Sequence, residues 1–468
     1  MQVVSSARAL GPAPLGAVYR AVWRWHFYAG LLVIPFLILL AVTGGLYLFH
    51  KEIDAVVHAN LLRVQPGTGP GLAPSALVAN AQRAVPGTPL TYVTPGDPGA
   101  AAAVGIRTPE GTHRLVYLDP ADGRVLGSIG PKSTVMGIVR QLHSLAFFGV
   151  WPPYVIEIVG GWTVVLVLTG LYLWWPRGGR KGGVVSLRGT PTKRIFWRDL
   201  HAVSGLLAAI FLAFLAVTGM PWSSFWGGQT HRLVAAAGIG FPAGAWGDAP
   251  SSSLPLQAVA ADVGWTMQTS PVPLSSGHHQ GAPTKEGTPA DLPTSIGLDA
   301  AVAIFNEAGL ERGYAVALPQ TAEGVYSGTV YPADLAKERA IHLDQYTGRK
   351  LIDVAFADYG WGGKAIEWGV NVHMGQEFGR LNQIVLALAC VLVIVMAVGA
   401  LVMWWKRRPP GSLAAPPWPS DRRPVVAVTA ILFVLGLVYP LTGISMLAIL
   451  AVDLIGHHML AARAASAA

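Results

Sequence analysis

A single cysteine, Cys390, stands in 468 residues, and it falls inside an apolar run. One thiol excludes an intramolecular disulfide, a C-x-x-C-H haem attachment and a cysteine-ligated iron–sulfur cluster. Any redox cofactor is then held non-covalently, by histidine. Charge is scarce as well: 12% of residues are Asp, Glu, Lys or Arg, where soluble domains carry about 25%. With 52% hydrophobic residues and a mean hydropathy of +0.46, the composition is that of a membrane protein. A dinucleotide fingerprint and a P-loop are also missing, as is a soluble flavin domain. A redox role would therefore draw on an external electron donor, either a quinol or a cytoplasmic reduced flavin or reductase.

What the chain does have is long apolar runs. Stretches of about 20 apolar residues span a bilayer as helices, and four are clear, near 27–49, 154–175, 202–221 and 384–405. A fifth region, 425–455, is interrupted by Pro440 and reads as one kinked span or a shorter re-entrant pair. The first run lacks a small-residue cleavage site and is too long for a signal-peptide core, so it is expected to be an uncleaved anchor.

Basic residues flank the runs. Arg8, Arg20 and Arg24 precede the first, and Arg177, Arg180, Lys181, Arg188, Lys193, Arg194 and Arg198 link the second and third, with Asp199 the one acid. Lys406, Arg407, Arg408, Arg422 and Arg423 follow the fourth. The positive-inside rule makes these segments cytoplasmic and puts the two long segments on the other side. The net charge of +8 reflects this topology and not a nucleic-acid surface.

The chain also matches itself. "WRWHFYAGLLVIPFLILLAVTG" from Trp23 lies over "WRDLHAVSGLLAAIFLAFLAVTG" from Trp197, pairing His26 with His201, Gly30 with Gly205 and Thr43 with Thr218. His143 is followed by Phe148-Gly149 and, 31 residues on, by Trp174-Trp175; His373 is followed by Phe378-Gly379 and, again 31 on, by Trp404-Trp405. "VYLDPADGRVL" (116–126) repeats as "IHLDQYTGRKL" (341–351), each a strand, an Asp–Gly turn and a strand. Helix-like segments, 74–85 and 297–310, precede them.

The expected fold is thus a polytopic α-helical membrane protein with two α+β outer modules and an internal parallel duplication. In order we expect a cytoplasmic tail (1–22), a span (23–50), module one (51–140), an outer-face helix with a span (141–176) and a basic cytoplasmic loop (177–199). A third span (200–224), module two (225–366), an outer-face helix with the fourth span (367–407), a cytoplasmic loop (408–423) and a fifth span region (424–456) follow. A Gly/Pro/Ser/Thr-rich tract at about 242–295 in module two is expected to be a flexible insertion, with its His278-His279 pair in a disordered stretch.

This duplication places His26 and His201 at one depth near the cytoplasmic face, and His143 and His373 at one depth near the outer face. A lone histidine at a helix end is ordinarily an interfacial or hydrogen-bonded side chain, and shared ancestry could preserve four of them for packing. Two pairs at two depths also match what a haem iron needs, two axial imidazoles from facing helices. Zinc wants three or four converging ligands, and each depth supplies only two. We therefore expect two bis-histidine haem b groups. Arg24 and Arg198 on the inner side, and Arg140 and Arg380 on the outer, are candidate partners for their propionates, although topology and headgroup contact explain the same arginines. Gly30 and Gly205 would admit a flat macrocycle, or serve plain helix contact. His50 ranks behind the four because Phe225, not a histidine, follows the third span.

The paired "LDxxxGR" hairpins after short helices resemble the PepSY module. Set between histidine-headed runs ending in "LAVTG" or "WWPR/WWKRR", they are similar to the PepSY-associated transmembrane family from about Val22 to the region 439–454. That resemblance implies a bacterial inner-membrane di-haem protein that reduces ferric siderophore complexes in the periplasm, releasing Fe(II) for uptake. It also assigns the family's histidine positions to His26, His143, His201 and His373. Two other readings remain from the residues alone: a non-catalytic PepSY sensor or peptidase regulator, and a siderophore or metal permease. The latter is disfavoured by the scarcity of charge within the runs.

Overall fold

An apolar run in lipid must satisfy its own backbone, and a helix does so within one segment. The computed structural model describes residues 15–67, 69, 71–177, 183–247, 249–260, 263–275, 294–410, 414–416 and 423–466. In chain order its helices are α1 (Leu15–Tyr47), α2 (His50–Val57), α3 (Ala59–Leu62), α4 (Pro74–Ala84), α5 (Val135–His143), α6 (Pro153–Trp174) and α7 (Arg194–Gly219). Then come α8 (Trp226–Ala236), α9 (Gly297–Glu307), α10 (Trp361–His373), α11 (Gly379–Trp405), α12 (Arg423–Val438) and α13 (Pro440–Ser466). The strands are β1 (Thr88–Val93), β2 (Ala102–Arg107), β3 (His113–Leu118), β4 (Val125–Ile129), β5 (Ser251–Pro255), β6 (Pro271–Pro273), β7 (Ala315–Ala317), β8 (Val325–Val330), β9 (Arg339–Asp344) and β10 (Lys350–Ala355). Among the described residues four helices, over Gly16–Tyr47, Pro153–Trp174, Arg194–Trp222 and Gly379–Trp405, are long and apolar enough to cross a membrane.

The chain divides into two units, one drawn from Met1–Gly44, His143–Phe225 and Ala387–Ala468, the other from Gly45–Leu142 and Trp226–Leu386. In the first, α1 presents Trp25, Ala29, Val33, Leu37 and Ala41 at helical spacing, and this stripe packs in one core with Val159, Trp162 and Val165 of α6, Ala208 of α7 and Val393 of α11. Small residues let backbones approach: any side chain at Gly161 would collide with Thr442 of α13, and Trp162 Nε1 donates to Ser445 Oγ at 2.8 Å. The fifth apolar region is two helices, interrupted at Tyr439 before Pro440, with Gly436 and Gly443 in contact across the break.

The second unit holds one antiparallel sheet of eight strands, ordered β10-β9-β8-β7-β1-β2-β3-β4. Each half is a meander with one helix, and the halves join where Thr91, Tyr92 and Val93 of β1 pair with Ala317, Val316 and Ala315 of β7. The expected outer modules therefore share a sheet and a core. Leu77, Val78 and Ala81 of α4 and Leu298, Ala301, Val302 and Phe305 of α9 cover one face, packed on Val104, Val116, Val316 and Ile341. Ser75 N at the start of α4 donates to Asp299 of α9 at 2.8 Å. The two Asp–Gly turns make the same bonds: Gly123 N to Asp119 O at 2.8 Å and Gly348 N to Asp344 O at 3.0 Å, with each aspartate side chain accepting from the backbone two residues on. Both glycines sit at positive φ, +72° and +68°, which the turn requires and a side chain resists.

The tract expected to be flexible over 242–295 is largely built in. Trp246, Leu256, Met267 and Val272 are buried against Val325, Ala340, Ile352 and Val354. On β9 Ala340 alternates with Ile341, so this segment covers the sheet face opposite to α4 and α9. A few large apolar anchors outweigh the surrounding Pro, Ser and Gly. Residues 276–293, with His278 and His279, lie outside the described residues.

Candidate functional site

Within the first unit the structure brings His26 of α1 and His201 of α7 together, their ring centroids 6.3 Å apart and their planes at 69°. What each ring does with its second nitrogen is legible from its partners. His26 Nδ1 lies 2.9 Å from Thr169 Oγ1 on α6. That hydroxyl gives its own proton to Val165 O at 2.6 Å, so toward the imidazole it is an acceptor and Nδ1 carries the hydrogen. His201 Nδ1 lies 2.9 Å from Met396 O of α11, and a carbonyl only accepts. Both rings are N–H donors at Nδ1, which leaves Nε2 with its lone pair. Metal-bound histidines show this pattern, the outer nitrogen tied to an acceptor that orients the ring and raises its basicity.

The neighbouring backbone is cut to fit. A methyl added at Gly170, next to Thr169, would stand 3.3 Å from His26 Cε1, and one at Gly399 would stand 3.4 Å from His201 Cβ. Beside Gly30 an added methyl meets no atom within 4 Å, while at Gly205 it meets Met396 Sδ at 3.4 Å. The Asp199 carboxylate is fully buried at the head of α7. Arg188 holds it through Nε at 2.8 Å, and Arg198 through Nε at 2.8 Å. Any side chain at Gly183, itself at φ +80°, would run into this trio. The basic link is thereby latched two residues before His201.

His143, the last residue of α5, repeats the arrangement of His26. Its Nδ1 lies 2.9 Å from Thr43 Oγ1, whose proton goes to Leu39 O at 2.6 Å, and a methyl at Gly44 would stand 3.2 Å from its Cε1. His373 ends α10 in the second unit. His50 Nδ1 bonds Tyr47 O at 2.9 Å and its ring stacks on that tyrosine, a helix-start role. Of the four arginines, Arg24 is buried, donates to Pro416 O and lies 5.2 Å from the centre of the Tyr28 ring. Arg198 is engaged with Asp199. Arg380 Nη1 reaches Glu52 Oε1 at 2.6 Å and Gln383 Oε1 at 3.1 Å. Arg140 lies on α5, three residues before His143.

Two imidazoles bound to opposite sides of one iron through bonds of about 2 Å have centroids about 6 Å apart. The His26–His201 separation and the Nδ1 bonds fit that requirement. Among the described residues no third His, Cys, Asp or Glu converges on the pair.

Sequence reasoning passed over Thr43, Thr169 and the Met396 carbonyl. The available signal was the Thr-Gly dipeptide, which recurs inside the apolar runs at 43–44, 169–170, 218–219 and 442–443; only the copies at 43–44 and 218–219 entered the self-comparison. It also passed over Glu157, buried in α6 and accepting from Phe225 N at 2.8 Å. A further pair lies in the second unit. Glu338 and Glu367 are both buried, with Tyr359 Oη donating to Glu338 at 2.9 Å, and Tyr331 Oη (3.0 Å) and Thr266 N (2.6 Å) donating to Glu367. Burial and the neighbouring Glu367 push the Glu338 carboxyl up to about 9, and burial raises Glu367 as well.

Residues 23–407, which include all four histidines, three of the four long apolar helices and the first from Trp23 onward, match the family model described as the PepSY-associated TM region. No curated protein matches the chain.

Proposed function

We propose, from the premise that the chain belongs to the PepSY-associated TM region family, that it is an inner-membrane electron-transfer protein that reduces ferric siderophore complexes on the periplasmic side. The observation that carries this reading is the His26–His201 pair, two imidazoles 6.3 Å apart, each with Nδ1 committed to an acceptor. Bound there, haem b supplies one-electron exchange. The protein's part is to hold both rings by their outer nitrogens, to dedicate Nε2 to the iron and to keep the pair among apolar helices. For a second haem the sequence offers His143 and His373, with His143 already tied through Nδ1 to Thr43.

The substrate is Fe(III) in a chelator with hard oxygen donors, which binds Fe(II) more weakly, so one electron releases the metal. A quinol or a cytoplasmic flavin or reductase is the donor. The basic segments support a cytoplasmic location for the amino-terminal side of α1 and the link before α7. The internal duplication is supported by the symmetric strand order about β1 and β7 and by the matched Asp–Gly turns.

The test is a pyridine haemochrome assay on the purified full chain and its four single His→Ala variants. We expect two haems of b type in the parent, with His26→Ala and His201→Ala losing one and the same haem. A parent with no Soret band and no dithionite-reducible α-band sinks the reading.

A further inference from the structure

The two members of the inner pair are not held alike. His26 leans on a hydroxyl of α6, and His201 on a backbone carbonyl of α11. Counting from the repeated histidines, Thr169 stands 26 residues after His143 and Gly399 stands 26 after His373, so they are equivalent positions with different chemistry. Glycine has no side chain to offer, and the chain turns to the carbonyl of Met396, three residues earlier. Thr169 adds something a carbonyl cannot: its hydroxyl accepts from His26 while donating to Val165 O at 2.6 Å. Two bonds in series polarise one another.

We propose that Thr169 is the positioning residue for His26, fixing its Nδ1–H tautomer and so dedicating Nε2 to a metal centre. The same role falls to Thr43 for His143, where the three bonded groups recur at 2.9 and 2.6 Å. In both cases the glycine that follows gives the ring its seat, with Cε1 3.3 and 3.2 Å from where a methyl would stand. The dipeptide alone does not make the arrangement: at 442–443 it serves a helix contact, the threonine hydroxyl donating to Ile158 O at 3.2 Å. The inference takes its ligand from the haem reading above, but its central claim, the tautomer, is a property of the protein alone.

The experiment uses the full chain in lipid nanodiscs with 15N-labelled histidine, in the parent, Thr169→Val and Thr169→Ser. Histidine 15N shifts distinguish Nδ1–H from Nε2–H, and His26 is assigned by its loss in His26→Ala. In the parent we expect Nδ1–H at His26. In Thr169→Val, which keeps the shape and removes the acceptor, we expect the Nε2–H form to appear at His26, while His201 stays as in the parent. Titration with haem should show affinity at this site falling by about 10–100-fold, the usual loss for such an outer partner, with the reduction potential displaced. Thr169→Ser should restore tautomer, affinity and potential together. A parent whose His26 is already Nε2–H overturns the proposal with no variant needed. So does a Thr169→Val chain with parental tautomer and affinity. A parent that binds no haem overturns the function proposed above, and the tautomer measurement still judges Thr169.

Discussion

The two units treat buried polar groups in opposite ways. Along the membrane helices, hydroxyls return to the carbonyl one turn back, Thr163 to Val159 at 2.7 Å, Ser204 to Leu200 at 2.6 Å and Thr218 to Phe214 at 2.8 Å, and the Asp199 carboxylate has two arginines. In the sheet unit, by contrast, Glu338 Oε2, His342 Nε2, Asn371 Oδ1 and, in the first turn of α11, Asn382 Oδ1 lack a hydrogen-bond partner among the described residues. Hydrocarbon offers nothing to an unpaired donor or acceptor, which costs several kcal/mol there, so the helices must close every account locally. An α+β domain with a polar surface is under less pressure. The lesson is that His26 and His201 follow the rule of the helical unit, each tying its Nδ1 to an acceptor supplied by a neighbouring helix.

The contrast should be sharpest when a satisfied group in the helical unit is left half-satisfied. Asp199→Asn keeps the shape and removes the charge that two guanidiniums share. Breaking a buried pair from one side costs about 3–5 kcal/mol, and we expect the low end because Arg188 and Arg198 remain about 40% exposed. Thermal unfolding in nanodiscs, followed by circular dichroism, should show a clear drop in the midpoint. An unchanged midpoint would mean that the latch on α7 contributes only geometry.

The carboxyl pair of the sheet unit makes the opposite forecast. Glu338 and Glu367 face Tyr331 and Tyr359, and burial together with the mutual repulsion of the two acids favours the protonated form. Here the folded value, about 9 for Glu338, lies above the ordinary 4.5. The stability it contributes is therefore fully present below about pH 4.5 and is lost as pH rises toward 9. At pH 7 the loss is on the order of 3 kcal/mol, from about 1.4 kcal/mol per pH unit. Glu338→Gln should make the sheet unit more stable at pH 8 than the parent and flatten the slope between pH 5 and pH 8. Amide hydrogen exchange on β9 and β10 at the two pH values reads this directly. A parent with no slope over that range would show that water reaches the pair.

Much of this architecture was legible in the sequence. The four long apolar helices followed from the length of the apolar runs, and the two Asp–Gly hairpins from self-comparison, because each is a local pattern. What escaped depends on residues far apart in the chain. Val93 and Ala315 are separated by more than 200 positions, so the junction of β1 with β7 left no local mark. Thr169 lies 143 positions from the imidazole it holds, and until the helices are packed it is one threonine among several in apolar runs. The segment 249–275 misled by composition. Its Pro and Ser content suggested a flexible tract, but Leu256, Trp265, Met267 and Val272 anchor it, and tertiary burial outweighed the composition.

The smallest expected effect separates a glycine that seats a ring from one that does not. In an exposed helix interior Gly→Ala gains up to about 1 kcal/mol through backbone entropy. Gly228→Ala in α8 should show that gain, because an added methyl there meets no atom within 4 Å. Gly170→Ala starts with the same gain but presses on His26 Cε1 from 3.3 Å, a distance the ring relieves only by moving a few tenths of an ångström. The movement lengthens the Nδ1 bond to Thr169, so we expect near-parental stability with a displaced His26 15N shift and, under the proposed function, haem bound a few-fold more weakly. The two effects act on different observables, and a thermal midpoint alone would miss the second. If Gly170→Ala instead behaves like Gly228→Ala in every measurement, the ring has slack around it and the seat is looser than 3.3 Å implies.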